Sequence, residues 1–164
     1  MQAVIDTVVM HHNCRAMLQT TEPTVLQRCV VQAALSIAVD PDQAIIHEWE
    51  RTAGKEVVQT LVIEWFERGA LFTVPSLGRI PPHTMRRLRL IGFDDTVDKL
   101  VLRVAMSTLD RIVVSDDSDF WDPADPTHPG QIGDSRAPVA AILRSECNVQ
   151  VLCFPQLLDA LGNP

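Results

Sequence analysis

Short apolar runs separated by stretches of helical spacing constrain this chain more than any other feature. AVIDTVVM (residues 3–10), LSIAV (35–39), RIVVS (111–115) and VQVLCF (149–154) have the length and β-branched content of buried strands. Between them lie EPTVLQRCVVQAAL (22–35), DPDQAIIHEWERTAG (40–54), EVVQTLVIEWFERG (56–69), DDTVDKLVLRVAMSTLD (94–110) and SRAPVAAILRSEC (135–147), each with apolar residues at helical intervals. PQLLDALG (155–162) reads as a short closing helix. Strands that alternate with helices predict an α/β sandwich with a mainly parallel sheet. Ligand sites in such sheets form beyond the carboxyl ends of the strands.

Local signals refine this. Asp40 is a candidate N-cap with Pro41 at the first helical position. Val57, Val58, Leu61, Val62, Trp65 and Phe66 form one stripe, and Gly69 is placed to end that helix. Residues 73–92 begin irregularly and turn basic, and 121–135 form a loop rich in Pro and Gly. There is no internal repeat and no linker, so residues 1–164 read as one domain, long enough for a sizeable core.

Composition excludes several classes. No stretch approaches the roughly 18 apolar residues of a membrane span, and the first residues lack the basic start of a signal peptide. Cys14, Cys29, Cys147 and Cys153 have no CxxC spacing and read as small core residues of a cytoplasmic protein. A net charge of −7 argues against unaided electrostatic binding of nucleic acid.

The acidic residues are where chemistry is expected. Asp6 interrupts an apolar run, and a buried carboxylate is costly unless it is paired, hydrogen-bonded or metal-bound. Asp98 shares a helix face with Leu102, Ala105 and Leu109, where a solvated charge would be misplaced. Asp94 and Asp95 fit ordinary helix-start chemistry. Glu48 borders the buried face of its helix, while Glu50 and His47 point toward water. Asp117 and Asp119 follow the strand RIVVS and share a side if the strand direction continues, leaving Asp116 on the other. Hard oxygen ligands of this kind suit Mg²⁺ or Mn²⁺. Arg79, His83, Arg86, Arg87 and Arg89 form the densest basic stretch, readable as phosphate contacts, as a solvated face or as a surface for an acidic partner. Trp121 either stacks on a base or caps the core.

The order of these acids resembles the PIN-domain nucleases, named after the PilT N-terminus, which include VapC-type toxin ribonucleases. AVIDTVV resembles the opening strand that ends in aspartate. IIHEWERT resembles the helix-borne glutamate, and NVQVLCFPQLLDAL the last strand and helix. DKLVLRVAMSTLDRIVVSDDSDF resembles the Asp-led helix, strand and Thr/Ser-x-Asp-x-Asp-Phe motif, and is the most specific piece. The resemblance implies a three-layer α/β/α fold around a five-stranded parallel sheet. It implies that Asp6, Glu48, Asp98 and Asp117 bind one or two divalent ions, with Asp119 in support. It further implies a single-stranded RNA or DNA substrate, a homo-oligomer, and an antitoxin or other regulatory protein as partner. In the two-ion chemistry of such sites one ion acidifies a water and a second, about 4 Å away, stabilises the leaving oxygen. Val8 departs from the family, which has a small polar residue there, and this favours an alternative: a catalytically inactive PIN-fold interaction module. Val8 also argues against a phosphatase of the haloacid-dehalogenase type, which requires Asp-x-Asp.

Overall fold

The computed structural model describes residues 1–32, 35–125 and 131–162. Five strands, β1 (Gln2–Ile5), β2 (Ser36–Val39), β3 (Leu71–Thr73), β4 (Ile112–Val114) and β5 (Gln150–Leu152), form one sheet in the order β3-β2-β1-β4-β5. Every pairing is parallel. Eight α-helices among the described residues flank it: α1 (Thr7–Met17), α2 (Val25–Val31), α3 (Ala44–Ala53), α4 (Lys55–Glu67), α5 (Pro82–Leu90), α6 (Thr96–Ala105), α7 (Pro138–Ile142) and α8 (Phe154–Ala160). The expected three-layer α/β/α architecture is the one observed.

Both faces of the sheet are covered. Ala3, Val4, Ile5, Ile37, Ala38, Val113 and Val114 are fully buried, giving the continuous apolar runs of a parallel sheet. Trp49, Trp65, Trp121, Phe93 and Phe120 supply the largest buried side chains around it. Strand order reverses at β1: the chain goes to β2 and β3 on one side and returns to β4 and β5 on the other. Connections of one hand must then leave from opposite faces, which opens a crevice at the carboxyl ends of β1 and β4. Helix α6 packs on β1, β2 and β4 and touches α3, so its N-terminus lies at that crevice.

Several expectations need correction. The first strand stops at Ile5, not Met10, and Thr7 opens α1. Val9, Met10, Asn13 and Cys14 are its buried residues, a helical spacing within a β-branched run. Pro41 does not begin a helix. Asp40, only 1% exposed, accepts hydrogen bonds from the backbone N–H groups of Asp42 (3.1 Å), Ala44 (2.9 Å) and Ile45 (2.8 Å), and α3 starts four residues after it. Strand β3 falls partly in a segment expected to be irregular. The stripe on α4 buries Val58, Leu61 and Trp65, but Phe66 is exposed. Leu109 lies beyond the end of α6 and is exposed as well. Gly69 ends α4 in the left-handed conformation (φ 68°). All four cysteines are buried and free. No helix of the described residues is long and apolar enough to cross a membrane.

Candidate metal centre

The carboxyl ends of β1 and β4 meet through Ser115. The Asp6 N–H continues the β1–β4 ladder to the Val114 carbonyl (2.9 Å), and the Ser115 N–H continues the β4–β5 ladder to Leu152 (2.9 Å). The Ser115 hydroxyl donates to Asp6 Oδ2 (2.7 Å) and accepts from the Asp117 N–H (3.0 Å). One buried hydroxyl thus links the two acids that end these strands. Sequence reasoning gave Ser115 no role, although it opens the Ser-x-Asp-x-Asp-Phe motif.

After β4 the chain does not stay extended. Asp117 caps a single 3₁₀ turn, Ser118–Phe120, by accepting from the Asp119 N–H (3.1 Å). Asp117 and Asp119 nonetheless lie within electrostatic reach of each other and of Asp98. Asp116 points away and accepts from the Phe154 N–H at the start of α8 (2.8 Å). Trp121 is buried and donates its indole N–H to the Ser115 carbonyl (3.2 Å), so it caps the core and does not offer a stacking face. Part of the loop that follows, residues 126–130, lies outside the described residues.

Asp98 stands in the first turn of α6 and is 8% exposed. Burial pushes its carboxyl up to about 8, with further contributions from the negative charges of Asp6, Asp95, Asp119 and Asp117. Burial also raises Asp6 to about 6, partly opposed by the Ser115 hydroxyl and the amides at the start of α1. Asp119 is raised by burial and by Asp117 and Asp95. Asp95 is the N-cap of α6, accepting from the Val97 N–H (2.7 Å) and the Asp98 N–H (3.3 Å). The helix-start role expected for it is therefore observed, but its charge also reaches the cluster, which the sequence reading omitted.

Glu48 sits apart from the others. Arg51, one turn on, binds both its oxygens, through Nε at 2.9 Å and through a guanidinium nitrogen, and this pairing holds its pKa below the usual carboxylate range. Its link to the cluster is the repulsion it shares with Asp95. Asp6, Asp95, Asp98, Asp117 and Asp119, by contrast, form no ion pair with Lys or Arg among the described residues.

Among the described residues, no three His, Cys, Asp or Glu side chains are gathered closely enough to hold an ion as they stand. The donor set is nevertheless that of a hard cation: carboxylate oxygens at a strand-end crevice, with uncompensated like charge. A divalent cation among them would offset their mutual repulsion.

The arginines divide. Arg87 and His83 both engage Glu146, and Arg89 engages Asp94 (3.2 Å), which also takes Lys99. Arg79 and Arg86 are exposed and have no charged partner among the described residues. Compared with models of protein families, with curated proteins and with solved structures, the chain matches none of them.

Proposed function

We propose that this protein is a divalent-metal-dependent nuclease acting on single-stranded RNA or a related nucleic acid. The observation that carries the reading is Asp98: a buried carboxyl, raised to about 8, facing four other carboxylates and paired with no cation among the described residues. Asp40, by contrast, is buried with three backbone N–H donors to its carboxylate. Asp6, Asp98 and Asp117, with Asp119 and Glu48 in support, would hold Mg²⁺ or Mn²⁺. The bound ion would supply charge neutralisation of the scissile phosphate and acidification of water. Ser115 holds the Asp6 carboxylate in place, and the 3₁₀ turn holds Asp117 against Asp119. Release of the Asp98 proton accompanies occupation of the site, so binding strengthens as pH rises toward 8. Four free, buried cysteines are in keeping with work in the cytoplasm. A regulatory protein partner, such as an antitoxin, belongs to the same proposal through the family resemblance.

The test is incubation of labelled single-stranded RNA and single-stranded DNA with the protein in Mn²⁺, in Mg²⁺ and in EDTA. Cleavage of RNA that requires either metal supports the reading. Intact RNA and DNA under every condition would oppose it and favour the inactive interaction module, to which the Glu48–Arg51 pairing lends its one structural argument.

A further inference from the structure

A second site lies on the neighbouring side of α6. A cavity of about 490 Å³ is lined by Arg79, Lys99 and Arg103 together with apolar Ile80, Met85, Val97 and Leu100. That volume falls within the roughly 300–1,000 Å³ of small-molecule pockets. In a chain of net charge −7, three cations around one cavity are a local reversal of sign. Asp94 offsets part of it by pairing with Lys99, but it shares that duty with Arg89.

The cavity is built, not incidental. The loop that carries Arg79 is clipped to α6 in both directions: the Gly78 N–H donates to the Arg103 carbonyl (2.9 Å), and Arg103 Nε donates to the Gly78 carbonyl (3.0 Å). The approach is so close that a Cβ at residue 78 would stand 2.5 Å from Met106 Cβ and 2.9 Å from the Arg103 oxygen, so only glycine fits. The clip fixes Arg79 beside α6 and leaves the terminal nitrogens of Arg103 without a partner among the described residues. Arg79 has none either.

The position is informative. Asp98 belongs to the acidic cluster and Lys99, the next residue, to this cavity. Successive residues of an α-helix diverge by about 100°, so the two sites occupy adjoining sides of the first turn of α6. Thr96 and Ala44, which open α6 and α3, complete the lining at that end. We propose that this cavity binds one nucleotide of a single-stranded nucleic acid, its base against Ile80, Met85, Val97 and Leu100 and its phosphate among Arg79, Lys99 and Arg103. Pockets that take a single base hold it between apolar or aromatic side chains, and arginine and lysine are the common partners of the phosphate. That this nucleotide flanks the scissile phosphate rests on the nuclease reading above; that the cavity takes a nucleotide does not.

Two measurements in EDTA test it, with metal-dependent cleavage suppressed. In the first, adenosine 5′-monophosphate is titrated into the protein and methyl resonances are followed. Shifts at Met85, Val97 and Leu100 are expected, and their absence would overturn the proposal. In the second, a labelled single-stranded oligonucleotide is bound to the wild type, to the Arg79→Gln/Lys99→Gln double variant and to Arg144→Gln, which alters an exposed arginine remote in sequence from the cavity. The double variant should lose at least about tenfold in affinity and reduce the salt slope by about 0.7 for each phosphate contact removed. Arg144→Gln should leave both unchanged. Equal affinity and slope in the wild type and the double variant would overturn the pocket while leaving the nuclease reading intact. Nucleotide-induced shifts in a protein that cleaves nothing in Mn²⁺ would uphold the pocket and oppose the nuclease reading.

Discussion

Asp40 and Asp6 each end a strand at the carboxyl edge of the same sheet, and each is almost wholly buried. Asp40 spends its charge on three backbone N–H groups in the turn before α3. Asp6 has the Ser115 hydroxyl and the amides at the start of α1, which burial outweighs, and it raises the pKa of Asp98 across the crevice. The first arrangement stabilises the fold by itself, because donors replace the lost water. The second is offset only in part, so ionising these carboxyls costs the metal-free fold. Burial alone therefore does not distinguish the two carboxylates; what separates them is how far their donors offset it.

The largest expected difference between the two regions is in activity. Asp117→Asn should reduce metal-dependent cleavage by at least about 100-fold, or about 2.7 kcal/mol of barrier, with the fold retained. An asparagine oxygen can still accept from the Asp119 N–H, so the 3₁₀ turn survives. A steady-state cleavage assay beside a circular-dichroism spectrum checks both halves, and unfolding of the variant would move Asp117 to the side of Asp40.

Asp40→Ala should do the reverse, lowering stability by about 2–3 kcal/mol through orphaned amides ahead of α3. Urea denaturation measures it. A neutral result would mean that the turn finds other donors and acceptors, and that the contrast with Asp6 is overstated.

Asp98→Asn should stabilise the metal-free protein, and the pH at which it does so is fixed by sign. The folded carboxyl titrates at about 8, above its ordinary 3.8, so the folded state holds a proton that the unfolded state has released. Wild-type stability is fully expressed below pH 4 and declines as pH rises through 8. Asp6, raised to about 6, contributes in the same direction over the lower part of that range. The variant lacks the Asp98 part of the decline, so its advantage over the wild type should be larger at pH 9 than at pH 5. Thermal unfolding in EDTA at pH 5 and pH 9 reads this, and parallel curves for the two proteins would contradict it.

The smallest effect belongs to Ser115→Ala. Loss of its hydroxyl removes the one side-chain donor to Asp6 among the described residues and should raise the Asp6 pKa further, at a stability cost of about 1 kcal/mol. Carboxyl-carbon NMR titration of Asp6 is the readout.

These contrasts were only partly legible in the sequence. The parallel sheet followed from the apolar runs, and the burial of Asp98 from helical spacing. Helix α1 was hidden because Thr7, Val8 and Val9 favour strands locally; the buried set Val9, Met10, Asn13 and Cys14 was the countersignal. Strand β3 has three residues and only Leu71 buried, too little alternation to separate it from its loop. Arg51 stands three residues after Glu48, a spacing that pairs charges on a helix and could have warned that Glu48 is partly spoken for. The donors that satisfy Asp40 are backbone groups in a left-handed turn at Gln43, which no side-chain pattern announces. Likewise the proximity of Ser115 to Asp6 arises from strands 109 positions apart, through register alone.

The proposed function requires the Asp6–Asp98–Asp117 cluster to be a divalent-cation site. Calorimetric titration of Mn²⁺ into the wild type and Asp98→Asn at pH 7 and pH 8 tests it most directly. Saturable binding to the wild type that tightens at the higher pH, with proton release, is expected, together with at least about tenfold weaker binding to Asp98→Asn. No saturable heat in the wild type, or equal affinity in the two proteins, would contradict it.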